Sequence, residues 1–407
     1  MALNVPDIRR QFPFFTTNGS LVYLDSAATA QKQEAVLTAM DTYYRTTNAN
    51  VHRGMYELAE RATGLYEGAR ATVQRFLRAR HSDEIIFTKS TTESLNLVAK
   101  SWGRAHLKKG DTVVLSILEH HSAIVPWLQL QEEIGIDSAW IDCDDEGTLI
   151  MDDLRSILSE KKVKLVSITG QSNVLGIRPP VREIIELAHR AGALVCVDAA
   201  QLIAHHPVDV TALDCDFLAF SGHKLYGPTG IGVLYAKREI LKAMPPFLGG
   251  GSMIEEVRRD GFTPADPPYK FEAGTPPIAE AVGLKAAIDW ILQTSWTDIE
   301  SHEKSLMRAA FETLNGVEGL RILGPKNPDA ASACVSFGIE GTHPHDLADI
   351  LGQEGFCLRA GHHCAEPLHR RFSVPASLRL SVGIYNTEEE IRRLGPALTR
   401  AIRLLRK

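Results

Sequence analysis

The 407-residue sequence has only six cysteines, Cys143, Cys196, Cys215, Cys334, Cys357 and Cys364, with no CxxC pair and no regular spacing. That excludes a disulfide framework and a zinc ribbon. Basic charge is not in excess: 44 Lys and Arg stand against 50 Asp and Glu, a net charge of −6. A sequence-independent binder of nucleic acid or of anionic membranes needs a basic face, so neither is expected. No segment reaches the roughly 20 apolar residues that cross a bilayer, and the opening MALNVPDIRRQF lacks the apolar stretch of a secretory signal. The expectation is a cytoplasmic protein that works on small molecules and proteins. Internal repeats, low-complexity tracts and long charge runs are missing as well, which excludes solenoid and disordered architectures.

What is there is alternation. Short β-branched apolar runs, Ile85–Thr88, Val113–Ser116, Leu165–Thr169, Leu194–Val197, Phe217–Phe220 and Gly232–Tyr235, are separated by stretches of helical period such as Val181–Ala191. This pattern predicts an α/β fold, a mostly parallel central sheet with helices on both faces. Gly249–Pro277 is rich in Gly and Pro and reads as a long irregular loop, and Ile278–Leu292 reads as a helix. From Ser301 the order becomes helix, strand (Ala333–Phe337), helix (His345–Glu354), loop, strand (Ser377–Ser381), helix (Glu388–Leu405), which suits a smaller α+β C-terminal domain. The boundary is placed near residue 292, with a large domain over 16–291 and a small one formed by 1–15 and 292–407.

Ligands of open α/β sheets bind beyond the carboxyl ends of the strands, so polar residues that directly follow apolar runs are the candidates. Leu194–Val197 is followed by Asp198-Ala199-Ala200-Gln201, and Phe217–Phe220 by Ser221-Gly222-His223-Lys224. A lysine in a Gly-flanked turn after a buried strand loses hydration, which lowers its pKa and frees the amine for a Schiff base. Lys224 fits that role, and Asp198 fits the carboxylate that keeps the ring nitrogen of pyridoxal phosphate protonated. Taken singly, a strand-end Asp is usually a turn residue and most lysines are solvated. Lys89-Ser90-Thr91-Thr92-Glu93 opens a helix with a capping-box pattern whose free N–H groups suit a phosphate, although such boxes also occur in helices that bind nothing.

Cys364, beside His362 and His363 and near Arg359, has the electropositive surroundings that favour a nucleophilic thiolate, whereas Cys196 sits in an apolar strand and reads as packing. Arg379 suits a bidentate grip on a carboxylate and equally an ordinary ion pair. The histidines and Cys364 offer metal-ligand atoms, but adjacent ligands on one loop rarely converge on one ion, so no metal is expected.

With these residues in hand, the sequence resembles the SUF-type (group II) cysteine desulfurases, fold-type I pyridoxal-phosphate enzymes of the aminotransferase class V family. The resemblance runs from Val22-Tyr23-Leu24-Asp25-Ser26-Ala27-Ala28 to Leu378-Arg379. It is carried by Val51-His52-Arg53-Gly54, Glu119-His120-His121, Ser172-Asn173-Val174-Leu175-Gly176, the Ser221–Gly230 run, Phe271-Glu272-Ala273-Gly274-Thr275-Pro276 and Arg359 to Cys364. It implies that Lys224 holds the cofactor covalently, that Asp198 pairs with the ring nitrogen, that Gln201 contacts the phenolic oxygen and that His121 stacks on the ring and moves protons. It implies a phosphate held by Thr91, Thr92, Ser221 and His223, with Thr275 reaching in from the partner subunit of a homodimer. It further implies a substrate bound by Asn173, Arg379, Arg359 and His52, and Cys364 as the nucleophile.

The implied reaction turns L-cysteine into L-alanine, leaving a persulfide on Cys364 that passes to a SUF-type sulfur acceptor for iron–sulfur cluster assembly. L-Selenocysteine is the alternative substrate, another class V lyase the alternative enzyme, and a sulfur-transfer scaffold without catalysis the alternative outside enzymes. Gly170-Gln171 stands where related sequences read His-Val, Ser90 and Ala199 where Gly is usual, and Ala360 where Thr is common. None of these departures removes an assigned group.

Overall fold

A computed structural model describes residues 3–406. Its centre is a seven-stranded sheet in the order Ile85–Thr88, Gly232–Ala236, Phe217–Ser221, Leu194–Asp198, Val163–Thr169, Thr112–Ser116, Asp137–Ile141. From Phe217–Ser221 to Asp137–Ile141 neighbours pair in parallel, whereas Gly232–Ala236 is antiparallel to the strand on each side. Six strands therefore point the same way and deliver their carboxyl ends to one edge. The strands of continuous apolar character are buried along their whole length, as a sheet covered on both faces requires. Asp137–Ile141, absent from the sequence expectation, reads DSAWI and lies at the sheet's rim with only Ala139 and Ile141 buried.

Helices cover this sheet where their apolar stripes allow. Val181–Arg190 buries Ile184, Ile185 and Ala188, one face of a helical wheel. Ile278–Ile291 is apolar almost all round and packs against the helices Glu34–Thr46 and Glu57–Phe76, as a fully buried helix must. Within Gly249–Pro277 the expected irregular loop contains an antiparallel hairpin, Ile254–Arg258 with Gly261–Pro264. Its residues are mostly exposed, so no apolar alternation marks it in the sequence.

The C-terminal third forms a second, antiparallel sheet in the order Leu320–Leu323, Cys334–Ile339, Ser377–Ser381, Arg359–Gly361. It has an apolar core of its own, shared with the helices Trp296–Asn315 and Glu388–Leu405. The latter helix opens on a reciprocal cap, in which Thr387 Oγ1 accepts from the Glu390 N–H and Glu390 Oε2 accepts from the Thr387 N–H. The N-terminal segment joins the two sheets. Val22–Tyr23 pairs in parallel with Phe356–Cys357 and Asp25 bridges to Ser381, while Phe12 packs edge-on against Tyr226, Trp290 and Tyr385. Among the described residues no helix is long and apolar enough to cross a membrane.

Candidate active site

The strand ends converge on a cavity of about 200 Å³, walled by residues that follow five of the six co-directional strands and by Arg359 and Arg379 of the second sheet. After Phe217–Ser221 the chain makes one tight turn, Gly222–Lys224. A Cβ at Gly222 would lie 2.7 Å from Ile231 Cγ2 and 3.2 Å from the Pro228 oxygen, so this turn needs glycine. The turn sets Lys224 against the cavity, where among the described residues its Nζ has no hydrogen-bond or ion-pair partner. Burial pulls its amine down to about 8; Asp198 opposes that and Arg379 and Arg359 add to it. Asp198, at the end of the adjacent strand, is buried and accepts from the Ala200 N–H at 2.9 Å. Burial raises its carboxyl, with Lys224 and the Ala200 bond pulling the other way. Gln201 lines the same wall and donates to the Ala27 oxygen at 2.8 Å.

A cup suited to phosphate closes the other end. Ser90 caps the helix that starts at Thr91, and Ser90, Thr91, Thr92, Ser221 and His223 all line the cavity. Ser221 Oγ accepts from the Thr91 N–H at 2.8 Å and lies 2.7 Å from Thr91 Oγ1, so cup and lysine turn are one unit. The cup approaches the sheet this closely because position 232 has no side chain: a Cβ there would come within 2.5 to 2.8 Å of the Ser90 backbone. Burial and the nearby Lys224 hold His223 down at about 4, so it enters the cup as neutral imidazole.

The histidine on the cavity wall is His120, not His121 as the resemblance implied. His120 is the N-cap of the helix His121–Ile134, in extended backbone, and the next residue already belongs to the helix, so the two rings diverge. His120 Nδ1 accepts from the Ser122 N–H at 3.1 Å, which leaves its proton on Nε2. Burial holds it neutral, at about 3. His121 turns to the cysteine loop: its N–H donates to the Cys364 oxygen at 2.7 Å, and its Nε2 accepts from the Glu366 N–H at 2.9 Å.

That loop is strained. His363 and Cys364 both take left-handed backbone, φ 51° and 58°, a conformation that costs a non-glycine residue about 1–3 kcal/mol. Three hydrogen bonds hold it: Asn173 Nδ2 donates to the His363 oxygen at 2.6 Å, His121 donates to the Cys364 oxygen, and His363 Nε2 meets Ser377 Oγ at 3.0 Å. Arg359 lines the cavity and donates from Nη2 to Cys364 Sγ at 3.5 Å, setting a cation between cavity and sulfur. Arg379, paired with Arg359 across the sheet, is fully buried; it donates to Asp25 at 2.8 Å and to the Asn173 oxygen at 3.1 Å, and its Nε has no partner among the described residues.

Besides His121, and Cys364, which meets the cavity through Arg359, two expected site residues lie elsewhere. His52 bonds Glu67 at 2.8 Å with its ring against Tyr269, and Thr275 lines a separate cavity of about 360 Å³ beside Lys89 and Glu93. Sequence reasoning missed Asp25 and Gln171, the first a partner of Arg379 and the second on the cavity wall. Among the described residues no cluster of three or more His, Cys, Asp or Glu side chains is arranged to hold a metal ion. The residues present fit pyridoxal phosphate: a partner-free lysine, a buried carboxylate one strand away, and a donor-rich cup at glycine-limited distance from the sheet.

Comparison with known proteins shows the family. The model of the aminotransferase class-V family matches residues 22–394. A probable cysteine desulfurase of Halalkalibacterium halodurans is 47% identical over 399 residues, 97% of each chain. A cysteine desulfurase of Enterobacter sp. strain 638 is 47% identical over 409 residues, covering both chains completely. Among solved structures, a cysteine desulfurase of Escherichia coli in its S-sulfonic acid form aligns with a TM-score of 0.92 at 40% identity, covering 99% of this chain and all of that one. An apo cysteine desulfurase of Thermococcus onnurineus aligns with a TM-score of 0.93, also at 40% identity and with the same coverage.

Proposed function

The chain belongs to the aminotransferase class-V family and is a pyridoxal-phosphate-dependent cysteine desulfurase, and from that premise we propose that Cys364 is the residue that takes the sulfur of L-cysteine. The observation that carries this reading is Arg359, which both lines the cavity and donates to Cys364 Sγ. When bound, the cofactor supplies an electron sink for charge developing at the substrate Cα. Lys224 would hold the cofactor, and its amine, whose pKa is lowered by burial to suit a base at neutral pH, would move the Cα proton. Asp198 would serve the ring nitrogen, Gln201 the phenolic oxygen and His120 the ring itself. Thr91, Thr92, Ser221 and His223 hold the phosphate.

Asn173 and Arg379 hold the substrate carboxylate, a role supported by the unpartnered Arg379 Nε, and Arg359 steers the nucleophile. Cys364 thiolate attacks the substrate sulfur. The new S–S bond forms as the Cβ–S bond breaks, and the electron pair of that bond stays with carbon, which takes up a proton. L-Cysteine and the Cys364 thiol thus become L-alanine and the Cys364 persulfide. That sulfane sulfur passes to a SUF-type acceptor in the cytoplasm for iron–sulfur cluster assembly.

Two further assignments belong to the same proposal. The enzyme works as a homodimer whose second copy supplies Thr275, and with it the His52 loop; support comes from the placement of both away from their own chain's cavity and from the exposure of the neighbouring Met55 and Tyr56. The chain divides into a large unit, 16–291, and a small one, 1–15 with 292–407. An apolar core of its own in the C-terminal third supports a small unit, while Ile8, Phe12 and Phe15 pack in the core of the large sheet and Val22 and Leu24 in that of the small one.

Incubation with L-cysteine, with alanine and sulfide measured, tests the mechanism. Cys364→Ser is expected to keep the yellow colour of the lysine-bound cofactor and lose turnover, and Lys224→Ala to lose both. Undiminished alanine formation by Cys364→Ser overturns the persulfide role.

A further inference from the structure

Glu119, just beyond the end of the Thr112–Ser116 strand, has no exposed surface. Its Oε1 accepts two hydrogen bonds, from Ser116 Oγ at 2.5 Å and from the Thr169 N–H at 2.9 Å, while its Oε2 is buried with no partner among the described residues. A carboxylate shares its charge between both oxygens, so ionised Glu119 leaves half a charge buried on Oε2 with nothing to meet it among the described residues, which disfavours ionisation. The surroundings add to that penalty. Asp198 lies in register with Thr169 on the next strand, and its negative charge disfavours a second one. Cys196, on the same strand as Asp198, is buried and held as a neutral thiol. Lys224, the nearby cation, faces Asp198, and His120 is neutral.

We propose that Glu119 stands as a neutral carboxylic acid beneath the cavity, a positioning residue that ties the Ser116 and Thr169 strand ends together and leaves the negative charge of the cavity floor on Asp198. Burial pushes its carboxyl up to about 8, against the bonds from Ser116 and Thr169 and with Asp198 adding to the rise. The proton on Glu119 does not depend on the pairing of Asp198 with the cofactor ring; only its benefit to the cofactor rests on that assignment.

Stability carries the sign of this arrangement. Folded Glu119 keeps its proton from the ordinary value of 4.5 up to about 8, so its contribution is fully present below 4.5 and is lost as pH rises through that window. Glu119→Gln, which has no proton to lose, is therefore expected to gain on the wild type between pH 5 and 8, by a factor approaching about tenfold in the unfolding constant per pH unit. A gap that does not change with pH overturns the proposal. Infrared spectroscopy of the holoenzyme reads the proton directly. A protonated-carboxyl C=O band is expected at pH 7, absent from Glu119→Gln, retained in Asp198→Asn and lost from the wild type above about pH 8. If Glu119→Gln does not fold, the wild-type band and its persistence in Asp198→Asn decide the matter. A missing band, or one that disappears with Asp198→Asn, overturns the proposal, the latter placing the proton on Asp198 instead.

Discussion

His120 and His121 are neighbours in the chain with separate tasks, one on the cavity wall and one on the Cys364 loop. Substituting each separates the tasks. His120→Ala is expected to lower kcat/KM by about 10²-fold or more and to alter the cofactor's absorbance, as loss of a group at the reacting ring should. His121→Ala is expected to keep that absorbance and lower only sulfur transfer, seen as a reduced rate of persulfide formation on Cys364; equal spectra for both variants contradict the assignment. Gly232→Ala is expected to push the Ser90 cup off the sheet at about 1–3 kcal/mol and weaken cofactor affinity, measured by equilibrium dialysis. Lys224, Asp198 and Ser221 were legible in the sequence because each directly follows an apolar run, and strand direction alone then brings them to one edge. Which of two consecutive histidines enters the cavity was not, because an N-cap dihedral decides it. The pairing of Asp25 with Arg379 was not either, since it depends on a bridge between residues 356 positions apart in sequence, Asp25 and Ser381.

Among the elements, the strut formed by Arg70 and Glu272 is the most heavily bonded. Glu272 accepts two hydrogen bonds from the buried Arg70 guanidinium, one from Tyr66 OH and one from the Phe87 N–H, and Arg70 also donates to the Ile85 oxygen. Helix Glu57–Phe76, strand Ile85–Thr88 and the Thr275 loop are locked together by it. Glu272→Gln leaves the buried guanidinium with only the partly exposed Glu67 as counter-charge and is expected to cost about 3 kcal/mol in urea unfolding. Paired replacement by Arg70→Met with Glu272→Leu is expected to cost less, because the one charge it unpairs from Arg70, Glu67, is partly exposed and keeps His52. Six of the seven central strands were readable from the sequence since each is a buried apolar run, whereas Asp137–Ile141, at the rim with only Ala139 and Ile141 buried, was not. Val22–Tyr23, Phe356–Cys357 and Arg359–Gly361 were not, because two or three residues hold no period to detect and their pairing is set by distant chain.

For the molecule as a whole, Thr275 lies outside its own chain's cavity, and on the proposed homodimer neither copy would be complete alone. Subunit mixing measures this. Lys224→Ala and Thr275→Ala are each expected to be impaired as homodimers, and their co-assembled heterodimer to regain activity at the one site that combines an intact Lys224 with an intact Thr275. Activity no greater than the mean of the two parents excludes that exchange. The pairing of Val22–Tyr23 with Phe356–Cys357 also bears on how the molecule is made. The two strands are separated by 356 − 22 = 334 positions, so at roughly 5–20 residues per second the first waits about 17–67 s on the ribosome for the second. During that interval the seven central strands, all between residues 85 and 236, can already assemble behind it. The Val22–Tyr23 strand is thus synthesised before every other described strand and is among the last to find its partner. A nascent chain stalled before residue 356 is expected to expose this strand to protease while its central sheet resists cleavage.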